Sequence, residues 1–387
     1  MTYSIDVVAR NTVHLARELY GESTVPLHRP VFEGNEKQYL LDCIDSNFVS
    51  SAGTLIQDFE DLFSDFTGSK HAIAVVNGTS ALHLSLLGAG VTPGTEVITQ
   101  PLTFVATCNA IRYAGADPVF CDVDKVTFGL SAHALEKFLT ECVVMRDGQA
   151  INKISNKVLS ACLPMHTFGA PCEIEKITKL CGTFNIPVVE DCAEALGSSV
   201  HGVHVGNFGI VSAYSFNGNK IITTGGGGMV TTNSDIIAAR IRHLSTTAKI
   251  NSNDYNFYHD EIGYNYRMPN INAALGCAQI ERVSAFLEEK LSISNVWSDF
   301  FGEFGITTLQ ARPGCKSNLW LNAAIFQDQR ERDFFLEYTN SKGIMTRPIW
   351  HLMNTLPEFR TCQTGTLETA KWLQERVVNV PSSVRFS

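Results

Sequence analysis

The pattern of hydrophobic and polar positions changes period near residue 70. Before that point it is helical. In Ile5–Tyr20, apolar residues at Val8, Leu15 and Leu19 predict an amphipathic helix. Pro26 and Pro30 interrupt the chain, and residues 34–44 and 54–66 read as helices again. In the latter, Leu55, Phe59, Leu62, Phe63 and Phe66 share one face. From residue 71, short apolar runs alternate with helical stretches. The runs are HAIAVV (71–76), EVITQ (96–100), PVFCDV (118–123), VLSACLPMH (158–166), PVVED (187–191), IVSAYSF (210–216) and GMVTT (228–232). Helical spacing lies between several of them, at 80–87, 105–113 and 174–184. Apolar strands alternating with helices predict a buried, mostly parallel sheet covered on both faces. Further helices are expected at 234–244 and 272–291, the second a single long one. Beyond about residue 300 the elements read as α+β. The organisation expected is an N-terminal helix and arm (1–30), a large α/β domain (31–265), and a connecting helix with a smaller C-terminal α+β domain (266–387).

Composition narrows the class. The 387 residues are 44% hydrophobic and 18% charged, enough to bury a large core. No apolar run is long enough to span a bilayer, and no basic start followed by an apolar block opens the chain. Eleven cysteines without a CxxC pair fit a reducing compartment, so a cytoplasmic protein is expected. A formal charge of −9 with no basic run argues against nucleic acid and anionic membranes as partners.

Three segments carry candidate chemistry. Asn77-Gly78-Thr79-Ser80 follows a strand and opens a helix, so hydroxyls stand beside free helix N–H groups, as in an anion site; an ordinary helix cap fits the same residues. No G-x-G-x-x-G follows a strand, which argues against a nicotinamide dinucleotide. Strand 187–191 delivers Asp191 to a carboxyl end, where α/β sheets bind ligands. A carboxylate there can pair with a cationic ring nitrogen or a metal, or merely cap a helix. No metal is expected, because His201 and His204 lie in a glycine-flanked turn. Lys220 follows Ser215-Phe216-Asn217-Gly218-Asn219 and precedes four glycines, 225–228. Lysines usually sit on solvated faces; one among apolar and glycine-rich neighbours offers a nucleophilic amine for Schiff-base chemistry. An anion cradle, a carboxylate and a lysine at strand ends of one sheet together suit pyridoxal phosphate.

The motifs VVNGTSALHLSL, PLTFVATCNAI, PVVEDCAEALGS, SAYSFNGNKIITTGGGGMVTT, EIGYNYRMPNINAALG and VVNVPSS resemble the DegT/DnrJ/EryC1/StrS sugar aminotransferases over nearly the whole chain. With PLHRPVFEGNE and TRPIWHLM they look most like the LegC-like branch of that family. The resemblance implies an aspartate-aminotransferase-like fold (type I), with a mostly parallel seven-stranded sheet in the large, cofactor-binding domain. It implies that Lys220 bonds the cofactor and moves the proton, that Asp191 holds the pyridinium nitrogen, and that Phe104 lies over the ring. It assigns the phosphate to Thr79, Ser80 and Ser215, with Asn265 reaching the partner subunit's phosphate in a homodimer with shared sites. Many relatives carry Gln or His where this chain has Glu194, beside the cofactor's phenolic oxygen. Phe104 also fits a core aromatic, and His166 fits either a site residue or a satisfied core histidine. Arg347, Trp350 and His351 fit either an anionic sugar nucleotide or domain packing. The function expected is amination of a nucleotide-linked keto sugar, UDP-2-acetamido-4-keto-2,6-dideoxyhexose, with glutamate as donor, in bacterial surface-glycan or nonulosonic-acid biosynthesis. The pyridoxamine form of the cofactor would arise during turnover. The alternatives are a nucleotide-sugar dehydratase of the same family, in which the lysine is replaced, and an aminotransferase for a GDP- or dTDP-linked keto sugar.

Overall fold

The computed structural model describes residues 4–250 and 257–385. Seven strands form the central sheet: β1 (His71–Val75), β2 (Glu96–Thr99), β3 (Asp117–Phe120), β4 (Leu159–Leu163), β5 (Val189–Asp191), β6 (Val211–Ser215) and β7 (Gly228–Thr232). Their order is β3-β2-β4-β5-β6-β7-β1, with β4 joined to β5 through parallel bridges at Cys162–Val188 and Met165–Asp191. Only β7 runs against its neighbours. Nearly every residue of these strands is buried, which is why they read as continuous apolar runs.

Helices pack on both faces. Those preceding the sheet are α1 (Ile5–Tyr20), α2 (Glu36–Asp45) and α3 (Leu55–Thr67); α4 (Gly78–Gly88) follows β1 and α5 (Val105–Tyr113) follows β2. Phe59 and Phe63 of α3 meet Phe216 edge-on, with ring centroids 5.2 and 5.4 Å away. The stretch after β3, unassigned from periodicity, holds α6 (Ala132–Cys142) and a hairpin, Val143–Arg146 with Gln149–Asn152. Then come α7 (Ile174–Thr183) and α8 (Asp235–Ser245).

The single helix expected at 272–291 is two: α9 (Asn270–Glu281) and α10 (Val283–Glu303). At Arg282 the N–H turns to the Gln279 carbonyl, 3.1 Å away, and the axis restarts. No proline or glycine marks the break, so periodicity reads straight through it. The C-terminal part is an antiparallel sheet of β8 (Thr307–Thr308), β9 (Asn322–Ile325), β10 (Arg347–Pro348) and β11 (Val377–Val380), in the order β8-β9-β11-β10, with α11 (Gln329–Ser341). Val8, Ala9, Val13 and Ala16 of α1 share one apolar cluster with Trp297, Phe301, Phe326 and Phe335, so the N-terminal helix packs on the C-terminal part.

The topology brings the carboxyl ends of the parallel strands to one edge of the sheet. The glycine tract enters β7 at that same edge. A Cβ on Gly228 would lie 2.6 Å from the Asn77 carbonyl, and one on Gly78 would lie 2.6 Å from the Ser215 Cβ. Only glycine permits the start of α4, the end of β6 and the start of β7 to close together.

Candidate active site

A cavity of about 250 Å³ opens at that edge. Its floor at one end is the first turn of α4. Asn77 caps this helix, its Oδ1 accepting the Ser80 N–H at 2.8 Å. The capping alternative thus holds for Asn77, while the N–H groups of Gly78 and Thr79 have no partner among the described residues. Thr79 and Ser215 line the cavity beside them, with Gly226 and Gly227. This end is a concave anion cradle. Ser80 is buried, its amide is taken by Asn77, and it does not line the cavity.

Asp191 closes the other end at the tip of β5. Its Oδ2 accepts from the Thr107 hydroxyl at 2.8 Å and its Oδ1 from the Ala193 N–H at 3.1 Å. Burial raises this carboxyl above its ordinary value in spite of both bonds. A buried carboxylate so placed is stabilised by a cation facing it, as a protonated ring nitrogen would. Lys220 extends into the cavity with its Nζ 3.3 Å from Glu194 Oε1. Glu194 Oε2 accepts the Phe168 N–H at 2.9 Å. Burial pushes Glu194 up to about 7, against the opposing pull of Lys220. Glu194 therefore faces inward, next to the amine. Phe104 stands half exposed at the N-terminus of α5, on the cavity wall.

A second cavity of about 580 Å³ adjoins the first and shares Asn219, Trp320 and Trp350 with it. Arg347 and His351 line it, with Gln374 and Asn379. Arg347 is exposed and donates to Asn340 Oδ1 and to the Thr346 carbonyl, each at 3.0 Å.

Besides Ser80, two expected site residues lie outside both cavities. His166 is fully buried behind the pocket, its Nε2 3.1 Å from Glu190 Oε2 and its Nδ1 accepting the Cys172 N–H at 3.2 Å. It is a satisfied core histidine, not a lining residue: it lies beyond the end of β4, and its ring is taken up by Glu190, the residue before Asp191. His166, Glu190 and Cys192 form a ligand-like cluster, but Glu190 already accepts the N–H groups of Gly206, Phe208 and Gly209. Asn265 is exposed and outside its own chain's cavity, paired through its backbone with Thr246. Sequence reasoning missed Thr107, Phe168 and Trp320. Thr107 sits three residues after Phe104 within PLTFVATCNAI, so its helical spacing was a usable signal; nothing local marks the other two.

Unshared helix N–H groups at one end, a buried carboxylate at the other and a primary amine between them fit a phosphorylated aldehyde with a basic ring nitrogen. On this sheet the combination defines a pyridoxal-phosphate-dependent transferase of fold type I. The chain belongs to the DegT/DnrJ/EryC1/StrS aminotransferase family, which it matches over residues 30–387. It is 37% identical to the GDP-perosamine synthase of Escherichia coli O157:H7, across 92% of this chain and 93% of that one. It is 36% identical to the enzyme of the same name from Vibrio cholerae, across 92% and 94%. The aminotransferase TlmJ of Streptoalloteichus hindustanus superposes with a TM-score of 0.83 at 24% identity, across 93% of each chain, and shares the fold.

Proposed function

We propose that the protein transfers an amino group from an amino acid, glutamate by preference, to a keto sugar carried on a nucleoside diphosphate, and that the carrier is GDP. The observation that carries the reading is one pocket in which Lys220, Asp191 and the start of α4 converge, sharing Trp350 in its lining with the cavity of Arg347 and His351. The choice of GDP over the UDP-linked sugar expected from sequence rests on the two relatives named GDP-perosamine synthase. Lys220 speaks against the dehydratase alternative, which lacks that lysine.

Bound in the pocket, pyridoxal phosphate supplies an aldehyde that takes up the amino group and a protonated ring that stabilises negative charge on the carbon losing its proton. Lys220 Nζ is its attachment point and moves the proton when free. Asp191 keeps the ring nitrogen protonated, held in place by Thr107. Thr79, Ser215 and the free N–H groups of α4 would hold the phosphate, and Phe104 would lie against the ring. Arg347 and His351 meet the diphosphate, with Trp350 as a stacking face. The active form is a homodimer in which Asn265 completes the neighbouring chain's phosphate site.

The test is a substrate panel. Purified protein receives glutamate with a GDP-linked 4-keto-6-deoxy sugar, its dTDP counterpart, or UDP-2-acetamido-4-keto-2,6-dideoxyhexose, and product mass is read. The GDP-linked sugar is expected to gain the amine fastest. Preference for the UDP or dTDP sugar overturns the choice of carrier, and no amination of any nucleotide sugar overturns the function.

A further inference from the structure

Trp320 enters the pocket from the C-terminal half of the chain and is fixed from several sides. Its carbonyl accepts from the buried Lys290 Nζ at 2.7 Å, and the same amine donates to the Ser382 carbonyl. Its own N–H donates to Asn318 Oδ1 at 2.9 Å, and Asn318 Nδ2 is anchored to the carbonyls of Glu194 and Leu196 at 2.8 and 2.9 Å. The indole Nε1 donates at 2.6 Å to the carbonyl of Asn219, the residue before Lys220. Leu319, just before Trp320, has φ 53°, a left-handed conformation that costs a branched residue free energy and survives only where the surroundings impose it.

This scaffold aims the indole face at one atom. Lys220 Nζ lies 3.9 Å from the Trp320 ring centroid, with Glu194 Oε1 3.3 Å away. Only 14% of the Lys220 side chain is exposed, so an aromatic face and a carboxylate stand where water usually solvates a lysine.

We propose that Trp320 and Glu194 form a holding site for the Lys220 amine during the part of the cycle in which the lysine is not bonded to the cofactor. The proposal rests on Lys220 being the attachment point. When an amino donor displaces the lysine, one carbon–nitrogen double bond replaces another, the donor's two amino hydrogens end on Lys220, and the freed amine has a defined place to go. No bond forms to Trp320 or Glu194. The site keeps the amine near the reacting carbon instead of letting it swing into solvent, and it stabilises the cofactor-free lysine relative to the bonded one.

The consequence is measurable as a coupling in cofactor affinity. The dissociation constant for pyridoxal phosphate is determined for wild type, Trp320→Leu, Lys220→Ala and the double variant. Any packing role of Trp320 alters affinity equally with and without the lysine. A holding site does not, because removing it destabilises only the free amine. Trp320→Leu divides the dissociation constant by some factor in each background. With Lys220 present, the ratio of the variant constant to its parent is expected to be about tenfold smaller than in the Lys220→Ala background, between the scales of an exposed and a fully desolvated cation–π contact. Trp320→Phe, which keeps an aromatic face, is expected to give a smaller shift in the same direction and serves if the Leu variant does not fold. Equal ratios in both backgrounds overturn the proposal. If Lys220→Ala still forms a borohydride-reducible bond to the cofactor, the attachment point itself is wrong, and the two failures are told apart.

Discussion

Glu194 bears a burial cost that a single substitution isolates. Its carboxyl is fully buried, and burial raises it from 4.5 to about 7 although Lys220 and the Phe168 N–H pull the other way. In the unfolded chain the same group titrates near its ordinary value. The raised folded value means that its contribution to stability is fully present below the unfolded value and is lost as pH climbs through the folded one. At about 1.36 kcal/mol per pKa step, the loss is about 3 kcal/mol above neutrality. Glutamine keeps the shape of the neutral acid and cannot ionise. Cofactor-free Glu194→Gln is therefore expected to match wild type near the unfolded value and to exceed its stability by about 3 kcal/mol at about pH 8. Denaturant unfolding at fixed protein concentration across that window measures the difference. A stability difference that stays constant with pH refutes the reasoning, because it would mean that Glu194 ionises as readily folded as unfolded.

Three further outcomes follow from the site and its supports. Asp191→Asn is expected to retain the cofactor but lose about 3 kcal/mol of transition-state stabilisation, read as kcat/KM; an unchanged rate would reduce this carboxylate to a helix-end cap. Glu60 is buried and holds Arg242, Arg267 and the Ala74 N–H at 2.7 to 2.8 Å, so Glu60→Ala leaves the mostly buried Arg267 and the Ala74 N–H without their partner and should destabilise the fold by about 3 kcal/mol in denaturant melts. Asn265→Asp sets a negative charge where the partner's phosphate would sit, and mixing it with Lys220→Ala should restore activity through heterodimers that contain one intact site; no rescue argues for sites made within one chain.

Much of the frame was legible because its signals are local. Runs such as HAIAVV and GMVTT are buried on both faces, so their apolar continuity marks strands without knowledge of neighbours. The cradle follows β1, Asp191 ends β5 and Lys220 lies in the turn after β6, and a strand followed by a glycine or helix start can be read from a few adjacent residues. What failed depends on direction or distance. His166 follows β4 and Asp191 ends β5, yet one side chain is buried against Glu190 and the other lines the cavity. The break at Arg282 has no residue type to announce it. Trp320 reaches Lys220 from a distant part of the sequence, and its aim depends on positive φ at Leu319 and on Lys290 of α10. Phe168, also at positive φ, presents its N–H to Glu194 for reasons equally invisible in composition.

The central claim is that Lys220 carries the cofactor in the pocket bounded by Asp191 and the start of α4. Borohydride reduction of the cofactor-loaded protein, followed by proteolysis and peptide mass mapping, tests it most directly. The account predicts loss of the visible absorption band and a single peptide, containing Lys220, heavier by the reduced cofactor. A label on any other lysine, or a cofactor that washes away unreduced, would contradict it.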